Sequence, residues 1–438
     1  MENPPEKAAV NGGTITDMKK PTDDSSDSNE HDLKRWFFVL VAVSVGTQAV
    51  FSGARMLVSY RILEFGGNAT TIGVFTAAFS LVPLLVAVAA GKRADAGAAP
   101  TLMRIGLVTT VLSALMIALS PDLIILLLGY VLMGFALLVT LIAAQGMVAH
   151  LRGSTAGLDS MFAYFTLGVS LGQFAGILIS GAVAASGQDQ VGSVDTTPAL
   201  LALTALGLLV LIPGWFNATA YRRFLPPPSD TSTPEPHIGV GALLKEKGMG
   251  TAMFASITVI VGIDLMIAYM PLIGRELGLS VAVVTMILSA RSGAAVVARG
   301  FMPMILKNLP RNRVLVGSSV IGAVSMLAMG AAPWFGGPVN LFIGSAICGF
   351  TWGMLMPMTM TWVSQLAPEQ DRALALSVRL TGNRLAQVAI PPVAGLLAAA
   401  TGSASVFLMA GGMAVIATVG TTAAVRNGTV DGAGKDPE

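Results

Sequence analysis

The chain has 438 residues, 54% hydrophobic and only 11% charged, with a net charge of +2. Soluble domains carry roughly 25% charged residues to cover a surface in water, so an ordinary water-soluble fold is excluded. Near-neutral charge argues against a nucleic-acid surface, the lone Cys348 excludes an internal disulfide, and His31, His150 and His237 stand too far apart for a metal site.

Residues 1–35 are polar and mixed in charge, with Asp23, Asp24, Asp27, Glu30 and Asp32 beside Lys19 and Lys20. They lack the basic start, apolar middle and small-residue cleavage site of a signal peptide. A disordered cytoplasmic tail is expected there. Apolar stretches long enough to cross a bilayer follow at 36–59, 70–90, 101–119, 122–148, 160–185 and 198–217. A stretch rich in Pro, Ser and Thr, with Arg222, Arg223, Lys245 and Lys247, interrupts them over 218–247. Six more spans follow at 248–273, 278–303, 313–332, 339–364, 372–400 and 403–425, and 426–438 is a short polar tail.

The expected fold is therefore an all-α membrane protein of twelve transmembrane helices in two six-helix bundles, 36–217 and 248–425. An even number of spans puts both termini on one side. Loops and span ends on that side carry Lys92, Arg93, Arg152, Arg222, Arg223, Lys245, Lys247, Lys307, Arg311, Arg313 and Arg372, against Arg61 and Arg275 on the other. The bias puts both termini in the cytoplasm.

Polar residues inside the spans are the chemical signal, because a charge in hydrocarbon costs roughly 2.5–3.5 kcal/mol on insertion scales. Span 1 carries Ser44, Gln48, Ser52 and Arg55 within an arc of about 80°. Arg55 lies deep enough either to face a cavity or to snorkel to the far interface. Span 5 contributes Gln173. Span 7 holds Asp264, the one acid well inside a span, and span 8 holds Arg291. Span 11 carries Arg379, Asn383, Arg384 and Gln387. Arg299 and Arg379 sit close enough to the terminal side to snorkel. Asp264 is expected to meet Arg291 or Arg384, which still leaves one mid-depth Arg without an acid. That excess suits an anionic group, and Asp264 is a candidate protonation site.

The two halves echo each other. Gly129-Tyr-Val-Leu-Met-Gly134-Phe135 parallels Gly344-Ser-Ala-Ile-Cys-Gly349-Phe350, and Leu171-Gly-Gln173-Phe-Ala175 parallels Leu385-Ala-Gln387-Val-Ala389. The loop after span 2 reads Gly91-Lys92-Arg93-Ala94-Asp95, and span 5 carries Gly172, Gly176 and Gly181. With these features residues 36–425 resemble the major facilitator superfamily in its bacterial type. The resemblance implies alternating access about a midplane site. It makes Gly91 and Asp95 parts of a cytoplasmic latch, although the basic residue that usually follows the Asp is Ala96. The span 5 glycines are similar to the motif of family exporters, with Ile177 in place of its Pro. Tyr130 stands where family members often carry a proton-coupling Arg.

Other chemistries lack support. There is no GxxxxGK[ST] phosphate loop and no HExxH. Gly168-Val-Ser170-Leu-Gly172 matches GxSxG literally but lies inside an apolar span. No cofactor and no enzyme activity are expected. The expected function is secondary transport of a small organic compound, with export by proton exchange on the span 5 motif. Proton-coupled uptake of an organic anion is the alternative, and a non-transporting receptor or structural membrane protein is the reading from another class. Gln48, Arg55, Gln173, Arg291, Asn383, Arg384 and Gln387 are the expected substrate contacts, with Asp264 carrying the proton. The expected setting is a monomer in the lipid bilayer of a bacterial inner membrane, with no nucleic-acid partner.

Overall fold

The computed structural model describes residues 24–149, 151, 155–186, 194–221, 239–368 and 371–430. They form thirteen α-helices and, among the described residues, no strand. The first half comprises α1 (Asp24–Glu64), α2 (Ala69–Arg93), α3 (Ala99–Ala118), α4 (Leu123–Ala149), α5 (Thr155–Ser186) and α6 (Thr197–Ala220). A short α7 (Val240–Lys245) precedes the second half. That half comprises α8 (Met249–Glu276), α9 (Val281–Asn308), α10 (Arg311–Gly330), α11 (Gly337–Gln365), α12 (Arg372–Thr401) and α13 (Ala404–Arg426). All but α7 are long and apolar enough to cross a membrane, twelve in number.

One boundary departs from expectation. Residues 24–35 continue α1 rather than lying in a disordered tail. Leu33 packs against the buried cluster around Trp36, and the Trp36 indole N–H donates to the Asn217 carbonyl (3.0 Å), so that turn has tertiary support. Residues 1–23 of the expected tail and 222–238 of the expected linker lie outside the described residues.

The two halves share their construction down to the caps. Helix α1 ends Glu64-Phe65-Gly66-Gly67-Asn68 and α8 ends Glu276-Leu277-Gly278-Leu279-Ser280, a constant offset of 276 − 64 = 212. Gly66 and Gly278 take the left-handed conformation (φ 76° and 65°) that a side chain would oppose. The next N–H closes the turn in each case, from Gly67 to Ile62 O and from Leu279 to Gly274 O, both 2.8 Å. Asn68 and Ser280 then cap α2 and α9. The Glu64 carboxylate accepts from the Thr196 N–H (3.0 Å) and hydroxyl (3.1 Å) at the start of α6. Glu276 accepts from the Ser403 N–H (3.3 Å) and hydroxyl (2.5 Å) at the start of α13. A carboxylate at a helix N-terminus satisfies free N–H groups and meets the positive end of the dipole. Next to Thr196, the hydrogen bond from the Thr197 N–H holds the Asp195 carboxyl below the usual carboxylate range. Glu276→Ala and Glu64→Ala should each lower stability by about 1–2 kcal/mol. Equilibrium unfolding in detergent measures this, and equal stability in all three proteins would remove the capping role.

Glycines set the helix crossings. A Cβ on Gly134 would stand 3.0 Å from the Phe79 carbonyl carbon, and one on Gly349 would stand 2.7 Å from that of Arg291. Gly129 faces Ile117 of α3, and Gly344 faces Met329 of α10. The sequence repeat is thus a spatial one, with α4 crossing α2 as α11 crosses α9. Gly172 and Gly176 bring α5 onto α1, where a Cβ on Gly176 would meet Ala49 Cα at 2.6 Å.

The halves meet chiefly toward the side opposite the termini. There the Tyr269 hydroxyl bridges two carbonyls, Ala69 O of the first half (3.2 Å) and Pro391 O of the second (3.3 Å). Gly73 and Gly395 flank that hydroxyl, and a Cβ on either would lie 2.8–2.9 Å from it. On the α5–α9 seam, a Cβ on Gly181 would lie 2.6 Å from Thr285 Cβ. The far side is closed by backbone-close packing that only small residues permit.

Candidate functional site

Between the halves lies a cavity of about 330 Å³, lined by α1, α2, α4, α5, α8, α9, α11 and α12. Its lining runs from the middle of these helices toward the terminal side, where Gln145, Thr166 and Leu380 are exposed. With the far side shut, the cavity opens toward the termini. Gln48, Arg55, Gln173, Asp264, Arg291, Asn383, Arg384 and Gln387 all line it. Sequence reasoning found them because polar groups at mid-depth have nowhere cheaper to face.

The pairing inside the cavity corrects the expectation. Asp264 is buried, and its ion-pair partner is Arg55, with Nη2 to Oδ1 at 2.5 Å. Neither Arg291 nor Arg384 makes that bond. Arg55 therefore does not snorkel. Its guanidinium lies over the Phe79 ring, 5.1 Å from the centroid, and beside the Tyr130 hydroxyl. Burial against an aromatic face strengthens the hold on the cation. The second carboxylate oxygen of Asp264 accepts from the Gln387 amide, whose own oxygen accepts from Arg384 Nη1 (3.1 Å). One polar chain thus runs from α12 through α8 to α1 and ties the halves together at mid-depth. Asn383 is engaged elsewhere, with its amide bonded to the Ser256 hydroxyl (3.0 Å).

The repeat explains where this asymmetry comes from. At the 212-residue offset Asp264 corresponds to Ser52 (264 − 212 = 52), and Arg291 to Phe79. Ser52 donates to the main-chain carbonyl of Gln173 (3.0 Å), whereas Asp264 accepts from the side-chain amide of Gln387. The first half thus joins the equivalent helix pair through a neutral hydroxyl. Ser44, in the stripe expected on α1, spends its hydroxyl on Leu40 O (2.8 Å) within its own helix.

Two arginines expected to snorkel also face the cavity. Arg299 donates to Ser170 of the other half, and Arg379 is buried with only 8% exposure. Residue count gave their height but not the direction in which each helix turns them. Among the described lining residues, five arginines face one carboxylate. Arg291 gives Nη2 to Ser292 (2.7 Å), and the buried Nε groups of Arg55, Arg291, Arg379 and Arg384 have no hydrogen-bond partner among the described residues. Such donors are costly when left empty and ready to receive an anion. Trp352, Phe165 and Cys348 of the lining were not expected, since apolar residues in an apolar span carry no signal.

The latch residues fall outside the cavity. Gly91 lies near the end of α2 with open space around its Cα. The side chain of Asp95, in the π turn Ala94–Ala98, lies outside the described residues. Among the described residues no group of three His, Cys, Asp or Glu could hold a metal ion.

The sequence profile described as Major Facilitator Superfamily matches residues 37–251 and again 252–434, one match to each half. Comparison with curated proteins gave no match. Solved structures share the fold at low identity. A bacterial homolog of the human lysosomal transporter Spinster, inward-facing and unoccupied, is 14% identical with a TM-score of 0.67, covering 91% of this chain and 97% of its own. A variant of the nucleoside transporter NupG is 16% identical with a TM-score of 0.71, covering 89% and 99%. A variant of the peptide transporter POT is 14% identical with a TM-score of 0.70, covering 90% and 95%.

Proposed function

The chain belongs to the major facilitator superfamily and is a secondary transporter rather than an enzyme, and from that premise we propose that it takes up a small organic anion together with a proton. The observation that carries the reading is the cavity's charge, five arginines around a single carboxylate that is itself bound to one of them. A neutral or cationic cargo would leave buried guanidinium groups without a counter-charge.

The same geometry supports co-transport over exchange. An anion bound by Arg291 and Arg384 stands near Asp264. Like charges side by side favour protonation of one of them. Protonated Asp264 releases Arg55, which then adds to the anion's hydrogen bonds. Anion and proton therefore favour each other's binding, and by linkage each helps the other equally. Exchange requires the opposite, mutual exclusion. The export reading rested on Gly172, Gly176 and Gly181, and contact with α1 and α9 accounts for all three.

We place the termini in the cytoplasm of a bacterial inner membrane on the Lys and Arg bias, so that the open side is the cytoplasmic one. One chain encloses the whole cavity, which supports a working monomer in the lipid bilayer.

Proteoliposome transport tests the reading. Acidifying the far side should drive accumulation of a carboxylate or sulfonate, and acidifying the terminal side should deplete it. Arg384→Gln and Arg291→Gln should each raise the KM for anions by ~10–100-fold, the worth of one charge-assisted hydrogen bond, and change uptake of neutral solutes little. Accumulation against the proton's direction would reinstate exchange. Equal effects on neutral and anionic solutes would overturn the anion reading.

A further inference from the structure

The cavity's charge is not spread evenly. The guanidinium groups not engaged by Asp264, those of Arg291 and Arg299 on α9 and of Arg379 and Arg384 on α12, belong to the second half. Three of them, like Arg55, hold a buried Nε without a partner among the described residues, and Arg291 and Arg379 are only 5% and 8% exposed. The first half contributes one cation to the lining, Arg55, and Asp264 and Phe79 already hold it. Toward the terminal side its wall carries no charge and is mixed, with Leu137 and Leu141 from α4 and Phe165 and Val169 from α5 interleaved with Gln145, Thr166 and Ser170.

Resting on the anionic cargo argued above, we propose that this cargo is amphipathic, held with its anionic end against α9 and α12 and its apolar body against α4 and α5. A compact anion would satisfy the arginines and leave the half-buried Leu137, Leu141 and Val169 facing water. An anion with an apolar body displaces that water and gains for every carbon it buries. The body also spans from one half to the other. Binding then draws the α4–α5 wall toward the α9–α12 wall, the movement that closure of the open side requires.

The test uses methanesulfonate, butanesulfonate and hexanesulfonate, which stay ionised at working pH, with the full chain in lipid nanodiscs. Calorimetric titration gives each Kd, with empty discs subtracted. A fully buried methylene is worth about 4-fold in affinity, so hexanesulfonate, with two more, should bind ~15-fold tighter than butanesulfonate. Leu141→Asn should abolish most of that gain and leave methanesulfonate unchanged. Leu141→Ala gives the same ordering if the Asn variant does not fold. Arg384→Gln should weaken all three probes by a similar factor. Binding of all three with equal affinity overturns the amphipathic cargo and leaves the anionic one standing. A chain-length gain that survives both Leu141 variants overturns the assignment to the first-half wall. No binding of any sulfonate, with no anion transported, overturns the underlying reading as well.

Discussion

Asp264→Asn is expected to abolish uphill transport while leaving downhill exchange intact. One carboxylate carries one proton, and one proton with one monovalent anion moves no net charge. A gradient of one pH unit should then accumulate the anion up to ~10-fold in the unmodified protein and not at all in the variant. The groups facing Asp264 are Arg55 from α1, Tyr130 from α4, Arg291 from α9, and Arg384 and Gln387 from α12. None of these is a carboxylate, so among the described lining residues Asp264 is the one acid to carry a proton. Proteoliposomes loaded at fixed internal pH give the measurement. Accumulation by the Asn protein at the unmodified level would sink the coupling role.

The partner substitution separates coupling from stability. Arg55→Gln leaves the buried carboxylate without its cation, a loss of ~3–5 kcal/mol when one member of a buried pair is removed. Combining it with Asp264→Asn should recover most of that loss. Additive losses in the double variant would mean that the two groups do not interact in the folded protein.

Gly395→Leu and Gly73→Leu should stop transport, with rates falling ~100-fold or more, by preventing closure of the far side. Both positions lie within 3 Å of the Tyr269 hydroxyl once a Cβ is added, and each also faces backbone of the opposite half. Backbone cannot step aside as a side-chain tip can. Tyr269→Phe provides the graded companion. It removes one hydrogen bond shared by two carbonyls, worth about 1 kcal/mol, and should shift the balance of open states about 5-fold. A cysteine at Ala295, in a Cys348→Ser background, reports which side the cavity faces. Membrane-impermeant maleimide should label it from the far side in the Leu variants. Labelling confined to the terminal side, with transport lost, would show that the glycines serve some other step.

The spans were legible because a run of apolar residues has one cheap destination, whereas the start of α1 at Asp24, well before the expected 36, was not, because its first turns are polar. The cavity residues were legible for the complementary reason, since Asp264 and Arg384 are too costly to face lipid. Partners were not legible. Residue count along a helix gives depth, so Arg291 and Arg384 stood as the partners of Asp264 while Arg55 was left between the cavity and the interface, and only the docking of the halves selects Arg55. Arg299 and Arg379 failed in the same way. The repeat was seen through span residues at offsets of 214 and 215, whereas the 212-residue offset holds in the Glu-x-Gly turns after α1 and α8. Those turns passed unnoticed because loops were read for charge rather than for shape.

The pair between Arg55 and Asp264 also bears on how the chain is made. The first half leaves the ribosome with an arginine at mid-bilayer and no acid at that depth to meet it. The second half brings the acid only when α8 is inserted. Until then the first bundle holds a charge costing ~2.5–3.5 kcal/mol in hydrocarbon. Its arrival relieves both groups at once. The carboxylate proposed above to carry the proton is thus also the one whose arrival neutralises the first half's buried charge, and a chain stopped before α8 keeps that charge uncompensated inside the membrane.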